Sequence, residues 1–450
     1  MEIKLSEEQI CALDKMIDFS KNNEPILCVE GYAGTGKTTL LNEYIEYIDS
    51  NNIHFVLCAP THKAKLVMEE VTGYDATTLH KLLSLSPNIE IFNLDYKDLK
   101  FLSMGLNEVP SKGLIIVDEA SMITDDLYNL LSDYANKKDS KLLFIGDPAQ
   151  LSGINNGGLS LAFKCNNKVT LKTIHRQATD NGLLPTLFKL REHPLKTFKE
   201  IIAPEGSLFL YNQAKDFMLE AASYFKKAVS HQNVNEVKLL AYTNARVKGL
   251  NNCMRRLLWK DEEEYHINEF ITGYENFEYN HNQFYNSLDY VIASKRTKVE
   301  RKIPYFLKLP GYDLELYDRV YKKLLHVFVL DRTINPDYIN SLSSLIEGIR
   351  LDALEIKKTN RTKASSLWKK YFEIMKSFAT PNDLVFDNRV IKKKTFDYGY
   401  ASTVHKLQGS SIDTIFIDMN NLYQCRDKET LRQLQYVALS RTKTDAHLLV

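Results

Sequence analysis

The segment Gly31-Tyr32-Ala33-Gly34-Thr35-Gly36-Lys37-Thr38 constrains this 450-residue chain more than any other. It follows the apolar run 25–30 and precedes 38–48, where Leu41, Ile45 and Ile48 recur at helical spacing. Strand, glycine-rich turn and helix in that order curl backbone N–H groups around a polyanion, at the positive end of a helix dipole. The glycines let the backbone bend where a Cβ would obstruct it. Lys37 then reaches the outer phosphates of a nucleotide, and the Thr38 hydroxyl offers an oxygen to Mg²⁺. A nucleotide and Mg²⁺ are therefore the expected ligands. Runs 54–59, 114–117 and 142–145 read as further buried strands of a parallel sheet, an α/β arrangement that gathers ligands at the carboxyl ends of its strands.

Two of those strands end in residues suited to phosphate chemistry. Asp118-Glu119 closes the run 114–117, so Asp118 is expected to hold Mg²⁺ and Glu119 to polarise the attacking water. Gly146-Asp147-Pro148-Ala149-Gln150 closes 142–145, and Gln150 is placed to touch the γ-phosphate or the water. Read alone, the first is an acidic surface pair and the second a turn; the upstream glycine-rich loop gives both a role.

Composition excludes several classes. Hydrophobic residues are 44% and charged residues 26%, which argues against disorder and coiled coil. No run is long and apolar enough to span a bilayer, and the first residues lack a basic stretch followed by an apolar core, so neither membrane nor secretion is expected. The six cysteines form no CxxC pair, and buried free thiols in a reducing cytoplasm are expected. Net charge is only +1, but 291–400 carries 22 Lys/Arg against 13 Asp/Glu, while 261–280 has seven acidic residues and no Lys or Arg. The basic stretch, with Lys392-Lys393-Lys394 and the cluster around Trp368, fits a nucleic-acid grip, a protein-binding face or a solvated surface equally.

Further along, the motifs fall in a set order that resembles the superfamily 1 helicases. Ala59-Pro60-Thr61-His62-Lys63-Ala64 looks like motif Ia, and Thr78-Leu79-His80 like Ib. Asp118–Met122 and Gly146–Gln150 look like motifs II and III, and Arg176-Gln177 like motif IV. Tyr242-Thr243-Asn244-Ala245-Arg246-Val247 resembles the second domain's single-strand contact. Thr403-Val404-His405-Lys406-Leu407-Gln408-Gly409 resembles motif V and Tyr436–Thr442 motif VI. Leu5–Gln9 looks like an adenine-recognising element. The form of motif V and the compact length are similar to the B-type branch, with its RecD-like and Dda-like enzymes. Ser410-Ser411 stand where many superfamily members carry an acidic residue that contacts ribose.

The resemblance implies two RecA-like domains, a small 1B pin and an SH3-like 2B insertion. The boundaries would be 1–175 for domain 1A with its pin at 84–110, 176–250 with 396–450 for domain 2A, and 251–395 for the insertion. ATP would contact Gln9, Gly34, Thr35, Gly36, Lys37, Thr38, Thr39, Gln408 and Gly409. Catalysis would rest on Lys37, Asp118, Glu119, Gln150 and the cleft arginines Arg176 and Arg441. Single-stranded DNA would lie on Pro60, Thr61, His62, Lys63, His80, Thr243, Asn244, Thr403 and His405. A hairpin carrying Tyr96 or Phe101 would split the duplex, with 89–92 pairing to 99–101; these aromatics serve as well in an irregular loop's core. The implied activity is ATP-driven unwinding of DNA in replication, recombination or repair, 5′→3′, by a monomer acting at junctions beside replication or single-strand-binding proteins. An RNA helicase, an ATP-gated clamp that does not translocate and a small-molecule kinase remain as alternatives, the last leaving motifs V and VI without a job.

Overall fold

The computed structural model describes residues 5–87, 101–103, 112–153, 158–173 and 181–450. Six parallel strands make the first sheet: β1 (Ile26–Gly31), β2 (Phe55–Ala59), β3 (Ala76–Thr78), then, after the antiparallel pair β4 (Leu85–Pro87) and β5 (Phe101–Ser103), β6 (Leu114–Val117), β7 (Lys141–Gly146) and β8 (Lys168–Leu171). Their order is β3-β2-β6-β7-β1-β8. Strands covered by helices on both faces have no solvent side, which is why β6 reads as an unbroken Leu-Ile-Ile-Val run and all four residues are buried. The glycine-rich loop leaves β1 between β7 and β8, beside the ends of β6 and β7. The sequence-predicted strands 89–92 and 99–101 and the tip residue Tyr96 fall outside the described residues, except Phe101, which begins β5 and is in register with Pro87 of β4.

The second lobe is a five-stranded parallel sheet. It opens with β9 (Leu208–Tyr211) and β10 (Val237–Ala241), after which the helix Asn244–Leu258 leads into an insertion. There, β11 (Phe270–Gly273), the hairpin β12 (Phe277–Tyr279) and β13 (Asn282–Phe284), β14 (Asp289–Lys302), β15 (Lys308–Asp318), β16 (Lys323–Leu330), the hairpin β17 (Leu384–Phe386) and β18 (Arg389–Lys392), and β19 (Phe396–Tyr398) follow in turn. The chain then returns with β20 (Ala401–Thr403), β21 (Thr414–Asp418) and β22 (Ala446–Leu449), giving the order β20-β10-β21-β22-β9.

The insertion is an antiparallel sheet, β16-β15-β14-β11-β19, joined by a pair of packed helices, Pro336–Lys357 and Arg361–Lys376. Its limits differ from the expected 251–395. The helix begun in the second lobe runs to Leu258, and β19 pairs with β11, so the chain re-enters the lobe at Gly399-Tyr400. A buried ion pair fastens the two: Lys238 of β10 donates to Asp289 of β14 at 2.8 Å and to the Gly399 carbonyl at 2.7 Å. Removing one partner of such a pair costs about 3–5 kcal/mol, because the other charge stays buried.

All six cysteines are free thiols; Cys28, Cys58 and Cys425 are buried as expected, whereas Cys11 and Cys253 are exposed. No helix among the described residues is long and apolar enough to cross a membrane.

Candidate nucleotide cleft and strand-binding face

The glycine-rich loop opens onto a cavity of about 700 Å³ between the two lobes. Gly36 stands before the helix Lys37–Ser50 with φ 76°, a left-handed conformation suited to glycine, and a Cβ there would collide with Gln9 Nε2. Gln9 is held by a reciprocal cap at the start of the helix Glu7–Lys21. Its Oε1 accepts from Ser6 N at 2.9 Å, and its Nε2 lies 3.4 Å from the carbonyls of Thr35 and Gly36. Thr35 is buried and its hydroxyl donates to the Tyr32 carbonyl, which braces the loop from within. Gly34, Thr38 and Thr39 line the cavity, as do Gln9, Gly36 and Lys37.

Lys37 Nζ donates to the carbonyls of Gly31 and Tyr32 at 2.7 and 2.9 Å. Burial lowers its pKa, and the carboxylates of Asp147, Glu119 and Asp118 oppose that shift. Asp118 shows the converse: burial, then the neighbouring Glu119 charge, lifts it to about 6. Glu119 sits at φ 51°, ψ 43°, which costs a non-glycine residue about 1–2 kcal/mol. Both carboxylates line the cavity.

The opposite wall comes from the second lobe. Arg441 follows the helix Lys428–Ser440; its Nη2 donates to Gln150 Oε1 at 2.5 Å and lies 3.6 Å from Glu119 Oε1. Its Nε is buried without a partner, so it holds a donor in reserve. Tyr436, one helix face away, donates to Asp147 Oδ2 at 2.8 Å and accepts from Ala33 N at 3.1 Å. Gln150 Nε2 is 3.5 Å from the same Asp147 oxygen. Gly409 and Ser411 complete the wall.

Gln408 stands apart from the other expected nucleotide contacts. It does not line the cavity; it is buried, and its Nε2 donates to the Leu151 carbonyl at 2.9 Å. A side chain at the end of a second-lobe helix thus reads the strand-end turn that carries Gln150. Arg176 lies outside the described residues. Two residues of the cleft were missed. Arg191 stacks on Tyr32 of the loop, 3.9 Å from the ring centre, and gave no motif signal. Tyr436 was legible in principle, being the first residue of the motif VI segment.

The strand-binding candidates share a local design that spacing did not reveal. The candidates Thr61, Thr243 and Thr403, and with them Thr78 of the segment that carries His80, each cap a helix, accepting from Ala64 N, Arg246 N, Lys406 N and Lys81 N at 3.2–3.4 Å. A capping hydroxyl keeps its own proton as a donor beside the N-terminal amides of its helix; that of Thr243 lies 3.5 Å from Asn421 Oδ1. Asn244 is the exposed first residue of its helix, and Pro60 precedes the Thr61 cap. The histidines are neutral donors: burial takes His62 down to about 4 and lowers His80 and His405. His62 also packs on Tyr285 of the insertion, ring centres 4.3 Å apart, and His405 faces Tyr242 at 6.3 Å.

Cations from both lobes converge on the insertion. Burial brings Lys63 of the first lobe to about 8 and Lys406 of the second to about 7, and the Asp289 carboxylate acts on both. Lys406 Nζ lies 3.3 Å from the Tyr274 ring centre and has no hydrogen-bond partner among the described residues. It was not among the residues picked from sequence.

A family model described as an AAA domain matches residues 4–199, and one described as a UvrD-like helicase C-terminal domain matches 398–449. The chain is 23% identical to the ATP-dependent DNA helicase dda of Enterobacteria phage T4, over 98% of both chains. It is 32% identical to the ATP-dependent RecD2 DNA helicase of Deinococcus radiodurans over 40% of this chain and 23% of that one. An uncharacterized protein, R530, of Acanthamoeba polyphaga mimivirus is 25% identical over 97% of each. The family matches and the full-length relatives together support a B-type superfamily 1 helicase. The helicase fold is likewise shared with solved Pif1 structures: one from Bacteroides in complex with ADP-AlF3 and ssDNA has a TM-score of 0.50 at 16% identity, covering 99% of this chain and 92% of that one. A structure of two Pif1 helicases at forked dsDNA gives 0.51 at 15%, with the same coverage.

Proposed function

We propose that this helicase is an ATP-driven motor that moves 5′→3′ along single-stranded DNA and separates duplex at a junction. The observation that carries the reading is Arg441, a second-lobe guanidinium hydrogen-bonded to Gln150 and close to Glu119 of the first lobe. A triphosphate seated on Lys37 presents its γ-phosphate to these groups. The guanidinium then gains a partner for its free Nε–H only when the lobes are together, so ATP favours the closed state. Glu119 orients the water, Arg441 takes up charge on the transferring phosphoryl, and the loss of the γ-phosphate removes the reason to stay closed.

Thr38 and Asp118 supply the hard oxygens that suit Mg²⁺, with the remaining positions left to phosphates and water. Mg²⁺ would neutralise charge on the β- and γ-oxygens. No group of three or more metal-ligating side chains occurs among the described residues, as suits an ion held mainly by its nucleotide. The capping threonines and neutral imidazoles supply donors for phosphate oxygens, a mode that ignores base identity. The likeness to the phage's ATP-dependent DNA helicase supports DNA as the substrate and action in the cytoplasm of an infected cell.

Matched duplexes with a 5′ or a 3′ single-stranded tail test the proposal. Unwinding with ATP is expected on the 5′-tailed substrate alone; unwinding of the 3′-tailed one would reverse the direction, and of neither would remove strand separation.

Lys406 adds a pH signature. A phosphate beside its ammonium raises its pKa above the free value of about 7, so the contact is complete below pH 7 and fades as pH rises through the bound value. Affinity for an oligo-dT strand should fall more steeply between pH 7 and 9 in the native chain than in Lys406→Met. Near neutrality the variant should bind about tenfold more weakly, as for loss of a charge-assisted hydrogen bond. Equal slopes would take Lys406 out of the strand path.

A further inference from the structure

The helix Asn244–Leu258 carries two cavities on opposite flanks, neither used by the motor described above. One is an apolar groove of about 360 Å³ against the helix Ala214–Ser230, floored by Met218, Leu219, Leu250 and Leu257. The other, about 350 Å³, is lined by Lys248, Arg255, Arg256 and Arg332 together with Asn252, Asn382 and Tyr398. No carboxylate lines either cavity.

The cations of the second cavity are not equivalent. Arg255 is paired with Glu269 at 3.1 Å and Arg332 with Glu264 at 2.9 Å. Lys248 and Arg256 are exposed and have no carboxylate partner among the described residues. Two paired arginines and two unpaired cations leave the pocket with positive charge to spare. The helix Asn244–Leu258 itself bears Arg246, Lys248, Arg255 and Arg256 and no acidic residue.

The stripe 246-249-250-253-257 and the stripe 248-252-255-256 lie roughly 130° apart at 3.6 residues per turn. The ridge between them is exposed and is lowest at Gly249, where an added Cβ would meet nothing within 4 Å. Leu219 stands 49% exposed on the far side. Apolar surface left open beside uncompensated charge is the pattern of a recognition site.

We propose that this face docks an acidic peptide segment of a partner protein, which lays carboxylates on Lys248 and Arg256, crosses the helix over Gly249 and places an apolar side chain in the Leu219 groove. A nucleic-acid backbone fits less well, since phosphates gain nothing from the apolar half of the surface.

The test uses the full chain and a fluorescein-labelled peptide of about six Asp/Glu residues followed by Leu-Phe, read by anisotropy at low salt, where a charge-led contact is strongest. Saturable binding is expected to weaken at least tenfold in Lys248→Glu/Arg256→Glu, in Leu219→Lys and with a peptide whose Leu-Phe is replaced by Ser-Ser. Gly249→Gln, which suits a helix, should block the crossing and weaken binding similarly. ATP turnover and unwinding should be unchanged in all of these, which separates a docking defect from a failed motor or fold. No saturable binding by the native chain, or binding indifferent to all the substitutions, would overturn the proposal. If the charge reversals instead cost oligo-dT affinity and spare the peptide, the face belongs to nucleic acid and the proposal falls.

Discussion

Replacing Arg441 with alanine is expected to lower ATP turnover by about 10³–10⁵, the range found when a charge-stabilising arginine is removed from phosphoryl transfer. Nucleotide affinity should stay within a few-fold, because the seat on Lys37, Thr38 and the loop amides belongs to the first lobe alone. Arg441→Lys should recover little: the ammonium keeps the charge but cannot hold Gln150 with one nitrogen while presenting another to the phosphate. Gln150 and Glu119 would remain in place, so the loss would report transition-state stabilisation rather than a disordered site. Single-turnover hydrolysis alongside equilibrium binding of a fluorescent nucleotide separates the two. If affinity collapsed with turnover, Arg441 would be mainly a ground-state ligand, and its assignment to transition-state stabilisation would fail.

Lys37→Ala should act on the other wall. The native ammonium already lies against the loop, donating to Gly31 and Tyr32, so it needs little rearrangement to meet a triphosphate. Three carboxylates, Asp147, Glu119 and Asp118, act on it. Without the lysine their charge faces the incoming polyanion unopposed, so both binding and turnover suffer. A fall of about 10²–10³ in turnover is expected, the scale for removing one preorganised group that meets developing charge. Affinity for oligo-dT should change less than twofold, since Lys37 contributes nothing to the capping threonines. Phosphate release at saturating ATP, with strand binding measured in parallel, checks both. Preserved turnover would refute the phosphate seat itself.

The legible parts of the molecule were those where one short segment carries both the chemistry and its own fold. Gly31–Thr38 is such a segment, and so are Asp118-Glu119 and Gly146–Gln150, each at the end of a buried strand whose apolar run marks it. Positions that act through a distant partner were harder. Gln408 was assigned to nucleotide because its motif travels with nucleotide contacts, but its hydrogen bond to Leu151 depends on how two sheets meet. Arg191 and Lys406 gain meaning only from Tyr32 and Tyr274, 159 and 132 positions away. The insertion was hard to read for a different reason. Asn335-Pro336 starts a helix in the expected way, but the surrounding strands, with long irregular pairing along β14, blur any single period.

The route by which the chain leaves the insertion has a mechanical consequence. β19 is hydrogen-bonded into the inserted sheet and β20 into the second lobe, with only Gly399 and Tyr400 between them. From β20 the chain passes through Thr403 and His405 to Gln408, whose amide grips the turn beside Gln150. On the proposed reading, force applied to the insertion by a tightening strand would meet almost no slack before it reached Gln150. Tension on the polymer would then bear on the hydrolysis rate, and an optical trap would register load-dependent stepping.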